Sequence, residues 1–311
     1  LDLDAIEKRI KEIEEEEGIE ATDALQTDKI DHDDLAAGME DQIQASPDAD
    51  SLATETLTQL EEELDRFEFS SNLRAVVLTG SNPSFCSGAN VKSWDKDNKT
   101  TQREPIPEDR SPWDLLNEAW EKQSLIPGRP KDFIDPVRLI PVRLHNLQKP
   151  SIAAVNGPAM GLGCGIALSC DIRYASENAK FSEMFVKRGL IPADGSCWQL
   201  PRMIGLSRTL LLQYTGDILD AQAAFELGIV NEVCEQNQIL ESSMELAEKI
   251  SNGATYGMSL IKKLVHESQF IDFETSIKLA GPAQELARRT QDHQEGVTSF
   301  IEKRKPNFIG K

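Results

Sequence analysis

Residues 149–165 read KPSIAAVNGPAMGLGCG and carry the strongest indication of the fold class. Its apolar run at 151–156 follows Pro150 and stops at Gly157, which indicates a short buried strand. More glycines follow at once, and the apolar segment 166–170 predicts a helix directly after them. A buried strand that turns on glycine into a helix is typical of an α/β protein.

Two similar apolar runs lie on either side of this stretch. Residues 74–79 (RAVVLT) end at Gly80, and residues 172–175 follow the predicted helix, so both runs predict buried strands. Upstream of them, leucine and phenylalanine recur at helical spacing. We therefore expect an amphipathic helix at 53–68.

The rest of the sequence divides into an excursion and a helical third. Residues 93–140 are rich in proline and charge, with a helical pattern only at 112–123, which predicts a long surface excursion. The C-terminal third predicts helices at 220–227, 237–251, 255–267, 271–288 and 292–303. Strands that alternate with helices before a helical third predict an α/β core with a helical appendage.

Charge is distributed unevenly along the chain. The 311 residues carry a net charge of −20, of which residues 1–41, with sixteen acidic and four basic side chains, contribute −12. Because such a chain repels phosphate backbones, no nucleic-acid partner is expected. Residues 5–17 have a helical pattern and those up to 50 are polar, so we expect residues 1–45 to form an acidic, partly disordered extension.

Membrane and secreted proteins are disfavoured as classes. The apolar runs are far shorter than the roughly 20 residues that a membrane helix needs, so no membrane partner is expected. The sequence is charged from Asp2 onward and shows no signal-peptide pattern. The five cysteines form no CxxC pair and no Cys/His metal spacing. A cytoplasmic protein without a metal site is therefore expected.

Two glycine turns are candidate functional sites. Residues 85–90 (FCSGAN) follow the first predicted strand, and residues 156–165 (NGPAMGLGCG) follow the second. Such a turn leaves backbone N–H groups free at a helix N-terminus, where the helix dipole favours negative charge. The turns suit a phosphate or a developing oxyanion, but close helix–sheet packing needs small residues equally. The second turn has neither the G-x-G-x-x-G nor the Walker spacing.

Several motifs resemble those of the enoyl-CoA hydratase/isomerase (crotonase) superfamily, in the family's order and from about residue 51 to the end. They are residues 85–92 (FCSGANVK), 149–163 (KPSIAAVNGPAMGLG), 170–175 (CDIRYA), 181–205 (FSEMFVKRGLIPADGSCWQLPRMIG), 221–233 (AQAAFELGIVNEV) and 295–308. The resemblance implies an α/β fold: a crotonase-like spiral of ββα units at 46–235, with a helical C-terminal trimerisation region at 236–311. It also implies a homotrimer or homohexamer.

The resemblance further implies an acyl-CoA thioester as substrate. The backbone N–H groups of Ala89 and Leu162 would bind the thioester oxygen as it becomes an enolate oxyanion, and one such donor typically lowers a barrier by about 3 kcal/mol. The positions that would contact the substrate are Ser87, Gly88, Gly161, Phe300 and Lys303. The last two match positions that contact the adenine and a phosphate of CoA, often from a neighbouring subunit.

The sequence departs from the family at the two glutamates that hold water in typical hydratases. One position, after the glycine turn, is Gly165 here. The other, four residues after Phe181, is Phe185. Both glutamates are missing, so addition of water by a glutamate pair does not follow from the resemblance.

The nearest carboxylates are Asp194 and Glu183. Asp194 is one residue beyond the position at which related isomerases place an acid, and Glu183 is two residues before Phe185. An apolar pocket raises a carboxyl pKa towards neutrality, as acid–base catalysis requires. Alternatively, Asp194 forms a turn with the next residue, and Glu183 pairs with Lys187 at i+4.

The sequence therefore predicts an enzyme that stabilises an enolate and moves a proton with Asp194, Glu183 or both. The expected outcome is isomerisation or hydration of an unsaturated acyl-CoA, with no cofactor other than the CoA of the substrate. Two alternatives stay open. One is a crotonase-like carbon–carbon hydrolase or decarboxylase that acts on a cyclic or β-keto acyl-CoA and uses His145. The other is a non-catalytic crotonase-like binding or assembly subunit whose acidic extension contacts a partner.

Overall fold

A computed structural model describes residues 49–81, 83–88, 99, 106–107, 109–122 and 136–311. The predicted helix at 5–17, the acidic extension and most of the predicted excursion at 93–140 lie outside these residues. In the described part of the excursion, the helix Pro112–Lys122 matches the helical pattern predicted at 112–123, and a further helix begins at Pro136.

The described residues form eleven helices and seven strands. The helices are α1 (Ala49–Phe69), α2 (Pro112–Lys122), α3 (Pro136–Asn146), α4 (Leu162–Ser169), α5 (Ser196–Ile204), α6 (Leu206–Thr215), α7 (Ala221–Glu226), α8 (Ile239–Ser251), α9 (Thr255–Ser268), α10 (Phe273–Arg288) and α11 (Gln291–Glu302). The strands are β1 (Val76–Thr79), β2 (Ser151–Val155), β3 (Pro158–Met160), β4 (Ile172–Ser176), β5 (Lys180–Ser182), β6 (Leu219–Asp220) and β7 (Glu232–Cys234). A 3₁₀ turn spans Met184–Arg188.

The larger sheet contains the three strands that the apolar runs predict. Its order is β1-β2-β4-β7, and all three pairings are parallel. Ile152 pairs with Val77 on one side and with Ile172 on the other, so β2 lies between two neighbours. Every residue of β2 is buried, which explains an unbroken apolar run instead of an alternating one.

A second, smaller sheet has the order β3-β5-β6. Strand β3 follows β2 after two residues and leads directly into α4, while β5 follows β4 and leads through the 3₁₀ turn towards α5. Two successive strand–strand–helix units are thus stacked side by side, because β2 pairs with β4 and β3 with β5. This arrangement agrees with the predicted spiral of ββα units.

The C-terminal region is helical from α8 to α11, as predicted, and its end is fastened to the core. Arg74 donates hydrogen bonds from Nη1 to the carbonyl oxygens of Ser251 and Phe308, both at 2.8 Å. The buried carboxylate of Asp292 accepts the backbone N–H groups of Ile309 (2.7 Å) and Gly310 (2.9 Å). None of the described helices is long and apolar enough to cross a membrane.

Candidate active site

Asn156 joins the ends of two parallel strands, β1 and β2. Its side-chain oxygen accepts the backbone N–H of Gly80 at 3.1 Å, and its Nδ2 donates to the carbonyl oxygens of Gly80 (2.9 Å) and Ser84 (3.3 Å). Asn156 is buried, so these bonds replace contacts with water. The amide thereby holds the turn after β1 against the turn after β2.

The two predicted glycine turns lie side by side as a result. The N–H groups of Phe85 and Cys86 donate to the carbonyl oxygen of Pro158, and the N–H of Met160 donates to that of Cys86 at 2.9 Å. A Cβ atom on Gly163 would lie 2.3 Å from the Cys86 oxygen. Only glycine at 163 lets the two backbones come this close.

Leu162, a predicted oxyanion donor, is the first residue of α4. The preceding Gly161 has φ +51°, a conformation that side chains rarely adopt, and it turns the chain from β3 into the helix. A Cβ atom on Gly88 would lie 4.0 Å from the Leu162 nitrogen. The segment at Ser87 and Gly88 is therefore beside the N-terminus of α4, while the other predicted donor, Ala89, lies outside the described residues.

Glu183 and Asp194 come together in the interior, although eleven positions separate them in the sequence. Glu183 follows β5, Asp194 precedes α5, and each is only 3% exposed. The hydroxyl oxygen of Ser196 lies 2.8 Å from Glu183 Oε2 and 2.8 Å from Asp194 Oδ1. We refer to the two carboxyl groups as the acid pair, and Ser196 bridges them.

The acid pair lies against the first turns of α4. A Cβ atom on Gly165 would be 2.5 Å from the carboxyl carbon of Asp194 and 2.5 Å from its Oδ2. The side chain of Asp194 thus occupies the space that a residue 165 side chain would need. Position 165 is one of the two family positions for glutamate, and here a carboxyl group reaches its vicinity from the loop before α5. Residue 165 is about 4.5 Å along the helix axis from Leu162.

Burial dominates the electrostatics of the acid pair. It raises the pKa of Glu183 well above its usual value, and the negative charge of Asp194 raises it further. Burial also raises the pKa of Asp194, although the N–H and hydroxyl of Ser196 oppose that rise. The nearby thiol of Cys164 has a pKa well above its usual range, because it is buried and faces both carboxyl groups. One carboxyl of the pair therefore keeps its proton at a pH where an exposed one would lose it.

The structure shows which of the alternative contacts Glu183 and Asp194 make. The Glu183 side chain bonds to Ser196 instead of pairing with Lys187. Gly195 does form a turn after Asp194, with φ +97°, so Asp194 lies both in a turn and in the acid pair. Phe185, at the second glutamate position of the family, places its ring 3.4 to 3.8 Å from where a Cβ on Gly161 would be. The ring thus lies against the glycine turn.

Other candidate residues lie apart from the acid pair. Phe300 and Lys303 are on the exposed surface of the last helix, α11, and its C-cap. His145 stacks on His266, with ring centroids 4.3 Å apart, and meets the edge of Trp198 at 5.0 Å. These rings line a cavity of about 850 Å³. Because Trp198 is two residues from Ser196 on α5, it faces away from the acid pair, and these contacts do not favour a catalytic role for His145.

Ser196 belongs to this candidate site, although the sequence did not indicate it. The sequence has no histidine and aspartate at a recognised spacing that would make Ser196 a nucleophile. That absence does not bear on whether Ser196 bridges two carboxyl groups. The signal in the sequence is the segment Asp194-Gly195-Ser196 at a helix start. There an aspartate two residues before a serine can accept the serine N–H and hydroxyl.

The comparisons with known proteins agree with this fold. The chain matches the sequence profile of the enoyl-CoA hydratase/isomerase family over residues 42–120 and 135–311. It is 33% identical over 261 residues to the 1,2-epoxyphenylacetyl-CoA isomerase of Escherichia coli K12, covering 84% of this chain and 90% of the relative. It is 32% identical over 256 residues to a short-chain-enoyl-CoA hydratase of Clostridium acetobutylicum, covering 82% and 87%. A solved enoyl-CoA hydratase from Bacillus anthracis superimposes with a TM-score of 0.68 at 29% identity, covering 83% of this chain and 90% of that structure.

A spiral of ββα units that carries a helical C-terminal region defines a crotonase-fold protein. The chain belongs to the enoyl-CoA hydratase/isomerase family, and it is an enzyme of that family.

Proposed function

We propose that the protein hydrates or isomerises an unsaturated acyl-CoA through an enolate. The observation that carries the proposal is the buried acid pair beside the N-terminus of α4. Removal of a proton from the α-carbon of a thioester puts negative charge on the thioester oxygen, and N–H donors at that helix end stabilise such charge. A carboxyl pair with raised pKa values supplies the acid–base groups.

In this proposal the N–H groups of Leu162 and Ala89 form the oxyanion hole. Support comes from Gly161, whose positive φ turns the chain so that Leu162 begins the helix, and from Gly88, which lies next to the Leu162 nitrogen. Ser87, Gly88 and Gly161 would border the thioester. The reaction is a proton transfer, so we propose that it needs only the CoA of its substrate and no further cofactor.

We also propose that CoA is held by Phe300 and Lys303 and that the enzyme assembles as a homotrimer or homohexamer in the cytoplasm. The exposed position of Phe300, at 84%, fits a side chain that contacts a neighbour or a ligand. Lys303 supplies a cation of the kind that binds phosphate. Large exposed apolar side chains on α9 and α10 support an assembly surface; they include Ile261, Val265, Phe273 and Ile277.

The test is turnover of a panel of α,β- and β,γ-unsaturated acyl-CoAs, with the products separated and weighed by mass spectrometry. We expect a shifted double bond or an added water with at least one member. Asp194→Asn should bind the thioester and lose turnover by about 10²-fold or more. Glu177→Gln, which changes an exposed carboxylate, serves as the control and should behave as wild type. No turnover of any thioester by the wild-type enzyme would overturn the proposal.

A further inference from the structure

The two short contacts of Ser196 determine how many protons the acid pair holds. Its hydroxyl oxygen lies 2.8 Å from an oxygen of each carboxyl group, but a hydroxyl has one hydrogen and can donate only one of these two bonds. Two ionised carboxylates have no hydrogen to supply to the second contact. Both short distances are hydrogen bonds only if one carboxyl group of the acid pair is protonated.

The surroundings decide which carboxyl group is ionised. Asp194 Oδ1 also accepts the backbone N–H of Ser196 at 3.1 Å. That N–H belongs to the first residue of α5, a nine-residue helix, and the helix dipole favours an anion at this end. The hydroxyl oxygen of a protonated carboxyl would be a poor acceptor for two donors. Glu183 Oε2 has no such backbone donor, so the proton belongs on Glu183.

The neighbouring groups agree with this assignment. Burial, Ser196 and the other carboxyl group are among the largest influences on the pKa values of the acid pair, and none of these largest influences is a lysine or arginine. The thiols of Cys164 on α4 and Cys197 on α5 both have raised pKa values and stay neutral near pH 7. Gln213 Nε2 on α6 lies 3.4 Å from the Ser196 hydroxyl oxygen. The Ser196 hydroxyl thus donates one hydrogen bond, to Asp194, and accepts two, from Glu183 and Gln213, which is the full capacity of a hydroxyl group.

We propose that Ser196 divides the roles within the acid pair: Glu183 stays protonated and donates to Ser196, Ser196 donates to Asp194 Oδ1, and Asp194 alone is the ionised base. This inference rests on the proposed function and deepens it. Asp194 Oδ2 and Glu183 Oε1 are both buried without a hydrogen-bond partner among the described residues, but Oδ2 is the one that lies against α4, 2.5 Å from where a Cβ atom on Gly165 would be, so it is the oxygen that takes the substrate proton. Ser196 and Glu183 are positioning residues.

The proposed proton transfer needs only the acyl-CoA and the groups of this chain. The Cα–H bond of a β,γ-unsaturated acyl-CoA breaks, its proton goes to Asp194 Oδ2, and its electron pair passes into the dienolate. The dienolate then forms a Cγ–H bond with the same proton, which leaves Asp194 ionised again. Glu183 neither gains nor loses a proton, so the arrangement favours isomerisation over the addition of water.

Substitutions separate the three roles. Glu183→Gln keeps a neutral donor to Ser196, so turnover should fall by less than about tenfold, whereas Asp194→Asn should lose about 10²-fold or more. Ser196→Ala removes a donor to Asp194, so the limb of the pH–rate profile that reports the base should move to higher pH. The matched control is Ser169→Ala, which also removes a buried serine hydroxyl but on α4 instead of α5. It should leave this limb of the pH–rate profile in place. Equal losses in Glu183→Gln and Asp194→Asn would overturn the inference.

Infrared spectroscopy locates the proton without any turnover. At neutral pH we expect the band of a buried protonated carboxyl in the wild-type enzyme. The band should be absent in Glu183→Gln, present in Asp194→Asn and shifted in Ser196→Ala. A band that is absent from the wild type, or that Asp194→Asn removes instead, would overturn the inference. If no thioester reacts, the proposed function fails, but the infrared result still decides where the proton lies.

Discussion

The contact between Gly165 and Asp194 can be tested by a double-mutant cycle of Gly165→Ala and Asp194→Gly. A Cβ atom at 165 would lie 2.5 Å from the Asp194 carboxyl carbon and 2.6 Å from its Cβ, whereas carbon atoms pack at roughly 3.5–4.0 Å. One of the two groups must therefore move by about 1 Å. Overpacking of this kind costs about 1–3 kcal/mol.

The expected sign of Gly165→Ala depends on the residue at 194. Alanine inside a helix is otherwise favoured over glycine by about 1 kcal/mol, so the net loss of unfolding free energy in the wild-type background should be up to about 2 kcal/mol. In the Asp194→Gly background the overlap is gone, and the same change should be neutral or stabilising. The coupling free energy should be about 2 kcal/mol, within the usual range for residues in contact.

The assay is urea denaturation of the four proteins at one protein concentration, with turnover measured in parallel. Gly165→Ala should also lower turnover, because the displaced carboxyl group is the proposed base. A coupling free energy within about 0.5 kcal/mol of zero, the value for independent sites, would refute the claim that Asp194 fills the space beside Gly165.

Three further predictions concern stability. In the proposed arrangement the native state keeps a proton on Glu183 that the unfolded state releases, so the unfolding free energy should fall as pH rises above about 5, by up to about 1.4 kcal/mol per pH unit. Glu183→Gln should flatten this decline in denaturation curves, and an unchanged slope would contradict the raised pKa. Asn156→Ala should lower the unfolding free energy by about 3 kcal/mol, because it leaves buried groups of Gly80 and Ser84 unpaired, whereas an alanine substitution of the exposed, hydrogen-bonded Asn178 should change it by less than about 0.5 kcal/mol. Asp292→Ala should release the C-terminal residues and speed their removal by carboxypeptidase, and equal rates would refute their fastening by this carboxylate.

The larger sheet could be predicted from sequence because burial on both faces leaves a direct pattern. The runs at 74–79 and 151–156 contain β1 and β2, and both end at glycine. Strands β3, β5 and β6 escaped prediction because they contain only three, three and two residues. A segment that short has no period to detect, and its pairing depends on tertiary contacts.

The candidate site, too, could be predicted from the sequence only in part. The carboxyl groups of Glu183 and Asp194 could be selected from the sequence, because a family motif marks the surrounding residues. The bridge by Ser196 and the fit of Asp194 beside Gly165 could not be predicted, since both depend on how α4, β5 and α5 pack together. From the sequence, Gly165 indicated only that a family glutamate is absent. In the structure, the absence of a side chain at 165 leaves the space that the carboxyl group of Asp194 occupies.

In the proposed reaction, Asp194 removes a proton from the α-carbon of an acyl-CoA whose oxygen is held at the N-terminus of α4. Incubation of a saturated acyl-CoA with the enzyme in deuterated water isolates this step, because such a thioester can form the enolate but cannot be isomerised or hydrated. We expect deuterium to enter at the α-carbon with the wild-type enzyme, and Asp194→Asn to slow its entry by about 10²-fold or more. Absence of exchange in the wild type would show that no enolate forms, and equal exchange in Asp194→Asn would show that Asp194 is not the base.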